Sequence, residues 1–204
     1  MSINIKTIVT MALFWAGSGP VLAASPEQAF LAEVGFTSTP IGHANFCAQR
    51  PAECLPNGQV VQLEILTDAL WRDLVEVNSA VNATVVPVTD ESLYHEEEFW
   101  AYPQGYGDCE DFVLAKRQAL IDRGWPASTL LMTVVREANG EGHAVLMVRT
   151  DRGDLVLDNQ EALIKLWSET PYSYVKRQSQ SDAGRWVDLN DTRIAVPQVA
   201  SVGN

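Results

Sequence analysis

Gly107-Asp108-Cys109-Glu110-Asp111 is followed directly by the apolar and basic run of residues 112–120. The stretch predicts a tight turn that leads into a helix. Asp108 lies at the N-cap, Cys109 in the first turn and Asp111 three residues after the cap, as in a capping box. The partial positive charge and unpaired N–H groups of a helix N-terminus favour a thiolate and can bind an oxyanion. The pattern is therefore typical of an activated cysteine nucleophile.

Cys109 also has a simpler interpretation. A free cysteine usually behaves as a small buried hydrophobic residue. Asp108 and Asp111 also have a simpler interpretation, in which their only role is to cap the helix. The rest of the chain has to decide between these interpretations.

Length and charge limit the class of protein. The chain has 204 residues and a formal net charge of -12, which predicts one domain with an apolar core. Nucleic acid and anionic membrane surfaces are disfavoured as partners because each requires a basic face on the protein. The acidic balance favours cations instead.

The first residues have the pattern of a secretory signal peptide. Lys6 precedes an apolar run from Ile8 to Trp15, and Val21-Leu22-Ala23 precedes a plausible cleavage site. We therefore expect a signal peptide at residues 1–23 and one exported domain at residues 24–204. The alternative is an uncleaved N-terminal anchor, although the apolar run is short for a bilayer-spanning helix.

Export changes the interpretation of the cysteines. Cys47 and Cys54 lie seven residues apart in a proline-containing segment, and they can form a disulfide in an oxidising compartment. Cys109 is then left without a partner. An odd thiol is a hazard in such a compartment unless it is used, so export favours the chemical role.

The remaining chain predicts helices and an antiparallel sheet. Residues 25–58 are rich in proline and glycine and predict an arm laid over the core. Apolar residues recur at helical spacing from Leu63 to Val81 and predict a helix of about five turns. Gly124 and Pro126 predict the end of the Cys109 helix. Three antiparallel strands are predicted after it, in residues 130–136, 143–149 and 155–158, followed by short strands in the tail.

His143 opens the second of these strands, and Asp158 closes the third. With an even number of residues in the hairpin loop, residues whose numbers have an odd sum face the same side of the sheet, and 143 and 158 have an odd sum. The imidazole and the carboxylate can therefore touch. With Cys109 they would supply a nucleophile, a base and the group that orients the base. Taken singly, His143 can be a strand-end histidine and Asp158 can cap a turn.

Residues from about Phe99 to Gln178 resemble the bacterial transglutaminase-like cysteine proteinase family, the LapG-type periplasmic proteases. The resemblance is carried by three segments, which are 107–111 with Lys116, His143-Ala144-Val145-Leu146 and Leu157-Asp158-Asn159. It implies an α+β, papain-like or transglutaminase-like core. The nucleophile Cys109 would stand at a helix N-terminus packed on an antiparallel sheet, with His143 as general base and Asp158 as the orienting carboxylate.

The resemblance further implies a calcium-dependent cysteine endopeptidase of the periplasm. Characterised relatives cleave large surface adhesins and release cells from biofilms, and a membrane receptor for cyclic-di-GMP can sequester the protease. We expect these partners for this chain on that ground alone.

The sequence itself gives calcium a physical basis. Asp108, Glu110 and Asp111 place carboxylates around Cys109, and their charge would oppose thiolate formation. A bound dication would reverse that effect, and clustered carboxylate oxygens suit Ca²⁺. We predict Asp108 and Glu110 as calcium ligands, with Asp111 as a third and further oxygens from residues 96–98.

Two other functions remain open from the sequence. The same triad can transfer an acyl group to a lysine amine, as in a transglutaminase, or the chain can be an exported binding module with an inactive triad. For the protease, the oxyanion hole is expected to use the Cys109 backbone N–H and a side chain such as Trp100. His43 and His95 are interpreted as structural or surface residues.

Overall fold

The computed structural model describes residues 29–193, which form a seven-stranded antiparallel sheet with helices packed against it. The strands of this sheet are β1 (Ala32–Thr37), β4 (Leu130–Arg136), β5 (Gly142–Thr150), β6 (Gly153–Leu157), β7 (Lys165–Leu166), β8 (Ser173–Gln178) and β9 (Trp186–Asn190). Their order across the sheet is β1-β9-β8-β4-β5-β6-β7. A separate parallel pair joins β2 (Val86–Pro87) to β3 (Tyr106–Gly107).

Within the described residues the α-helices are α1 (Ile41–Gln49), α2 (Asp68–Thr84), α3 (Asp90–Tyr94) and α4 (Cys109–Asp122). Helix α4 packs on β4 and β5 and is covered by α2. The mixture of helices and an antiparallel sheet confirms the predicted α+β class. In residues 29–193 every helix is too short or too polar to cross a lipid bilayer. The predicted signal peptide lies outside the described residues.

The predicted antiparallel strands after the Cys109 helix are β4, β5 and β6. Thr150 pairs with Gly153, so the β5–β6 hairpin has a two-residue loop at Asp151 and Arg152. Gly153 has a φ of +117°, and a Cβ there would lie 2.6 Å from the Ala29 carbonyl oxygen. Only glycine fits this turn without strain. The even loop fixes the register that the sequence argument assumed.

Strand β5 is buried on both faces of the sheet, because helices or loops cover each side. Its residues Ala144, Leu146 and Val148 belong to the larger core cluster beneath α4, which also includes Leu114, Leu120 and Leu157. Its residues Val145 and Met147 belong to a second cluster on the opposite face, which also includes Leu31, Val135, Val156 and Trp167. The alternation follows from the two-residue period of a strand.

Two predictions for the N-terminal half are wrong. The arm predicted over residues 25–58 contains the edge strand β1, paired with β9, and helix α1. The helix predicted from Leu63 begins only at Asp68, where Thr67 caps it by accepting a hydrogen bond from the Leu70 N–H at 3.2 Å. A threonine cap sets the helix start more strongly than the apolar spacing that precedes it.

Candidate active site

Helix α4 presents Cys109 as its first residue, two residues after the end of the short strand β3. The Cys109 thiol is half-buried and donates to Glu110 Oε2 at 3.3 Å. Just before the helix, a Cβ at Gly107 would lie 2.5 Å from Asp111 Oδ2. Residue 107 must therefore be glycine for the helix to start here. The other two cysteines form the predicted disulfide between Cys47 and Cys54, which leaves Cys109 as a free thiol.

The two aspartates of this turn hold the preceding loop. Asp108 occupies the N-cap, but its side chain makes no capping hydrogen bond. Its Oδ2 instead accepts from the Asp90 N–H at 3.2 Å. Asp111 Oδ1 accepts from the Ala101 N–H at 2.8 Å. The side-chain cap predicted for Asp108 is therefore wrong, because the incoming chain offers its own N–H groups to these carboxylates.

His143 and Asp158 form a buried pair. His143 Nε2 lies 2.9 Å from Asp158 Oδ1, and the two side chains are 2% and 3% exposed. The Gln160 N–H also donates to Oδ1 at 3.0 Å, and the Tyr172 hydroxyl donates to Oδ2. Burial opposes ionisation of Asp158, but the hydrogen bonds from these three groups outweigh it and hold the pKa of the carboxyl below its usual value. Asp158 is therefore an anion at neutral pH.

Cys109 and His143 line one cavity of about 490 Å³ at the end of the sheet. Cys109 packs against the cluster beneath α4, whereas Tyr172, beside His143, packs against the second cluster. The cavity therefore lies at the end of the sheet where β4 ends and β5 begins, and residues from both faces of the sheet lie next to it. Trp100 also lines the cavity, and its Nε1–H donates to Glu98 Oε2 at 3.1 Å.

Burial raises the pKa of the Cys109 thiol well above its ordinary value. The negative charge of Glu110 raises it further, whereas a hydrogen bond from the Ala144 N–H acts in the opposite direction. The protein without a bound cation therefore holds Cys109 as a thiol. Ionisation of the thiol therefore needs a base or a positive charge next to it.

The carboxylates that oppose the thiolate form a compact cluster. Asp90, Asp108 and Glu110 each offer an oxygen, and the three oxygens lie within 4.8 Å of one another. The Oδ1 atoms of Asp90 and Asp108 are buried and have no hydrogen-bond partner. Burial, with the proximity of Asp108, raises the pKa of Glu110 to about 10, and burial raises that of Asp90. Such a cluster is poised to exchange protons for a cation.

The cluster differs in one member from the ligand set predicted from the sequence. Asp108 and Glu110 lie in it, but its third member is Asp90 from α3. The Asp111 carboxylate faces Ala101, and burial raises its pKa to about 7. Glu98, from the acidic run at residues 96–98, lies against Trp100. Asp90 was missed because no sequence pattern indicates that α3 lies next to the turn before α4. The two segments are brought together by the pairing of β2, which precedes α3, with β3, which precedes α4.

A buried aromatic wall supports Trp100 from behind. His43 lies on α1 with its ring centroid 5.3 Å from that of Trp100, and its Nδ1 accepts from Trp186 Nε1 at 3.0 Å. Burial lowers the pKa of His43 to about 4, so it is neutral. The disulfide sulfurs lie 3.7 to 3.9 Å from its ring nitrogens. His43 is thus structural, as predicted, while His95 is exposed in a left-handed turn.

Two further groups at the site were given no role from the sequence. Tyr172 donates to Asp158, as described above. Lys116 lies two turns after Cys109 on α4, is fully buried, and has no hydrogen-bond partner for its Nζ. Burial lowers the pKa of its ammonium to about 7, although the charge of Asp158 opposes the shift. The family resemblance and the helical spacing to Cys109 were the available signals for Lys116, whereas no sequence pattern marks Tyr172.

The sequence profile of the family described as "Bacterial transglutaminase-like cysteine proteinase BTLCP" matches residues 33–194. The chain belongs to this family. It is therefore a transglutaminase-like cysteine peptidase, and the family resemblance noted from residues 107–111, 143–146 and 157–159 is confirmed. No curated protein sequence is significantly similar to the chain.

Solved structures of Legionella pneumophila LapG have the same fold. One is 27% identical, with a TM-score of 0.50, and covers 61% of this chain and 71% of its own. A calcium-bound LapG is 25% identical, with a TM-score of 0.51, and covers 66% of this chain and 75% of its own. These similarities confirm the transglutaminase-like core.

Proposed function

We propose that this protein is an exported, calcium-dependent endopeptidase with a Cys109-His143-Asp158 triad, and that it cleaves a large cell-surface adhesin to control attachment in biofilms. The observation that carries the proposal is the buried pair of His143 and Asp158, at 2.9 Å, on the same cavity as the free thiol of Cys109. A buried, hydrogen-bonded imidazole and carboxylate on the same cavity as a free thiol are the parts that acyl transfer requires.

The roles follow from which atoms are engaged. Asp158 Oδ1 holds His143 Nε2, which leaves Nδ1 to exchange a proton with the Cys109 thiol. The sulfur attacks the peptide carbonyl, and the imidazolium gives its proton to the leaving amine. Water, activated by the now neutral imidazole, then hydrolyses the thioester and restores the thiol. Asp158 remains ionised throughout and fixes the orientation of the ring.

The developing oxyanion would be bound at the N-terminus of α4. The Cys109 backbone N–H is one donor, since helix N-termini leave such groups unpaired. Trp100 Nε1 is the second, but it now donates to Glu98. Glu98 is exposed and can move away at little cost, so we expect the indole to be released when substrate enters.

The acidic cluster fits calcium. Asp90, Asp108 and Glu110 would hold the ion through carboxylate oxygens, the donor type that Ca²⁺ prefers. Two of their oxygens are buried without a partner, which is costly unless a cation binds there. Asp111 can contribute its unpartnered Oδ2. A bound ion would supply positive charge next to the thiol and so favour its ionisation. The existence of a calcium-bound LapG supports this assignment.

The location and the partners are inferred from the sequence and the family. A signal-like N-terminus and the disulfide between Cys47 and Cys54 support a periplasmic location. The resemblance to LapG-type proteases supports an adhesin substrate and an inner-membrane cyclic-di-GMP receptor that sequesters the enzyme. The charge of -12 argues against a nucleic-acid partner.

The test is cleavage of a purified adhesin fragment by the mature chain, with calcium and with a chelator. We expect cleavage only with calcium, a new free N-terminus in the product, and none with Cys109→Ala. Calcium-independent cleavage would remove the metal from the proposal. Incorporation of an amine without cleavage would assign a transglutaminase, and binding without either reaction would assign a binding module.

A further inference from the structure

We propose that Tyr172 is a positioning residue of the active site, whose hydroxyl locks the Asp158 carboxylate and whose ring covers the His143–Asp158 pair. The inference rests on the proposed function and adds a fourth residue to its triad. Tyr172 lies in the loop between the 3₁₀ turn Trp167–Glu169 and β8. It is therefore on a different segment from each of the three residues it serves.

The hydroxyl completes the hydrogen bonding of Asp158. Oδ1 receives His143 Nε2 at 2.9 Å and the Gln160 N–H at 3.0 Å, and Oδ2 receives the Tyr172 hydroxyl. Donors on both oxygens prevent the carboxylate from rotating, so Oδ1 stays directed at the imidazole. Without the hydroxyl, Oδ2 would be left with no protein donor among the described residues. A carboxylate with a free oxygen can turn and release the ring.

The ring of Tyr172 packs on the imidazole. The two centroids are 5.4 Å apart, and the planes are inclined by 52°. Behind the pair, a second cavity of about 210 Å³ is lined by Asp158, Gln160 and Tyr172. Tyr172 is half-buried, and the His143 and Asp158 side chains are 2% and 3% exposed, so its ring forms part of the cover over the pair. A water-free environment strengthens the imidazolium–carboxylate interaction.

Tyr172 is itself held in place through its backbone. Arg193 Nη2 donates to the Tyr172 carbonyl at 2.6 Å, and Nη1 donates to the carbonyls of Trp167 and Thr170. Asp191 fixes the guanidinium at 2.8 Å. One arginine thus clamps the loop that carries the tyrosine. These hydrogen bonds hold the loop, and with it the Tyr172 side chain, in a fixed position, as a positioning residue requires.

The ionisable groups around Tyr172 keep the phenol as a donor. Burial, and then the hydrogen bond to Asp158 and its charge, raise the pKa of Tyr172 above its ordinary value. Glu137 at the end of β4 acts in the same direction. Lys116 on α4 is a buried cation whose pKa the charge of Asp158 raises. Tyr172 therefore stays protonated across the working range of the enzyme.

The test compares Tyr172→Phe with Tyr174→Phe. Tyr174 is a matched control because its hydroxyl is buried nearby and bonds to Thr170 at 2.9 Å, away from the triad. Each variant is assayed from pH 3 to 9 at saturating calcium, by kcat/KM for cleavage of the adhesin fragment and by the rate at which iodoacetamide alkylates Cys109. Thermal unfolding verifies that both variants are folded.

For Tyr172→Phe we expect a fall in kcat/KM of about 10- to 100-fold, the range for loss of a hydrogen bond to a charged group. The acidic limb of both profiles should move to higher pH, because Asp158 loses a donor that favours its anion. Tyr174→Phe should keep the wild-type profile. Unchanged limbs in Tyr172→Phe, or equal shifts in both variants, would overturn the positioning role.

Failure of the proposed function has a different signature. If His143→Ala leaves the alkylation profile of Cys109 unchanged, the triad itself is wrong, and the role of Tyr172 falls with it. If the adhesin fragment is not cleaved but alkylation depends on His143 and shifts in Tyr172→Phe, the substrate is wrong and the positioning role stands.

Discussion

Lys116→Met should make the protein more stable at neutral pH. The Lys116 ammonium is fully buried and has no hydrogen-bond partner among the described residues. Its Nζ lies over the ring of Phe112, 5.9 Å from the ring centroid. Burial lowers the pKa of the ammonium from 10.5 to about 7. Methionine has a similar length and volume and carries no charge, so it can occupy the same space without that cost.

The magnitude follows from the change in pKa. At 1.36 kcal/mol for each pH unit, the fall from 10.5 to about 7 sets an upper limit of about 5 kcal/mol for the cost of the buried charge. The folded-state pKa is the lower one, so the unfolded chain binds more protons between these pH values. The wild type should therefore gain stability as the pH rises from 7 towards 10.5. The advantage of Lys116→Met should shrink over the same range.

The assay is urea unfolding at pH 6.5 and 9.5, with the variant and its reference both carrying Cys109→Ala to prevent autolysis. Lys165→Met is the control, because Lys165 is partly exposed and pairs only with Glu161 at the surface, and we expect it to change stability by less than about 1 kcal/mol. The reasoning would be refuted if Lys116→Met were no more stable than its reference at pH 6.5. A gain of equal size at both pH values would refute it as well.

Three further perturbations probe the site. Calcium binding should release protons and become tighter as the pH rises towards 10, because Glu110 has a pKa of about 10 in the free protein. Calorimetry in buffers of different ionisation enthalpy counts the released protons. A calcium affinity that does not depend on pH would contradict the assignment of Glu110 as a ligand. Gly42→Ala should lower kcat/KM while the protein stays folded, since the new Cβ would lie 2.3 Å from Trp100 Cδ1; cleavage kinetics and circular dichroism test this, and wild-type kinetics would exclude a role for the indole position. Replacement of Cys47 and Cys54 by alanine should cost about 2 to 3 kcal/mol, the chain-entropy value for so short a loop; urea unfolding measures it, and no loss would show that the helix holds without the bond.

The part of the fold that the sequence predicted best is the part built from local rules. The β5–β6 hairpin closes through a two-residue loop, so parity alone placed His143 and Asp158 on the same side. Gly124, with a φ of +92°, ends α4 as its position predicted. In both cases, the residues that determine the local structure lie within a few positions of it in the sequence.

The parts that failed depend on distant partners. Strand β1 is an outer strand with Val34 and Phe36 exposed, so it lacks the alternation that marks a half-buried strand. It forms because β9 pairs with it. Asp90 joins the acidic cluster for a similar reason, since its neighbours there come from α4 and not from α3. No local pattern records such pairings.

The order of strands in the sheet has a consequence for how the protein folds as it is made. Strand β8 lies between β4 and β9, and β9 pairs with β1, so the centre and one edge of the sheet need residues 173–190. A chain that is synthesised from its N-terminus cannot complete this sheet until those residues have been made. His143 and Cys109 are made earlier, but Asp158 gains its last hydrogen-bond partner only when Tyr172 is present. A chain that ended before residue 172 would therefore contain all three residues without the complete hydrogen bonding of Asp158.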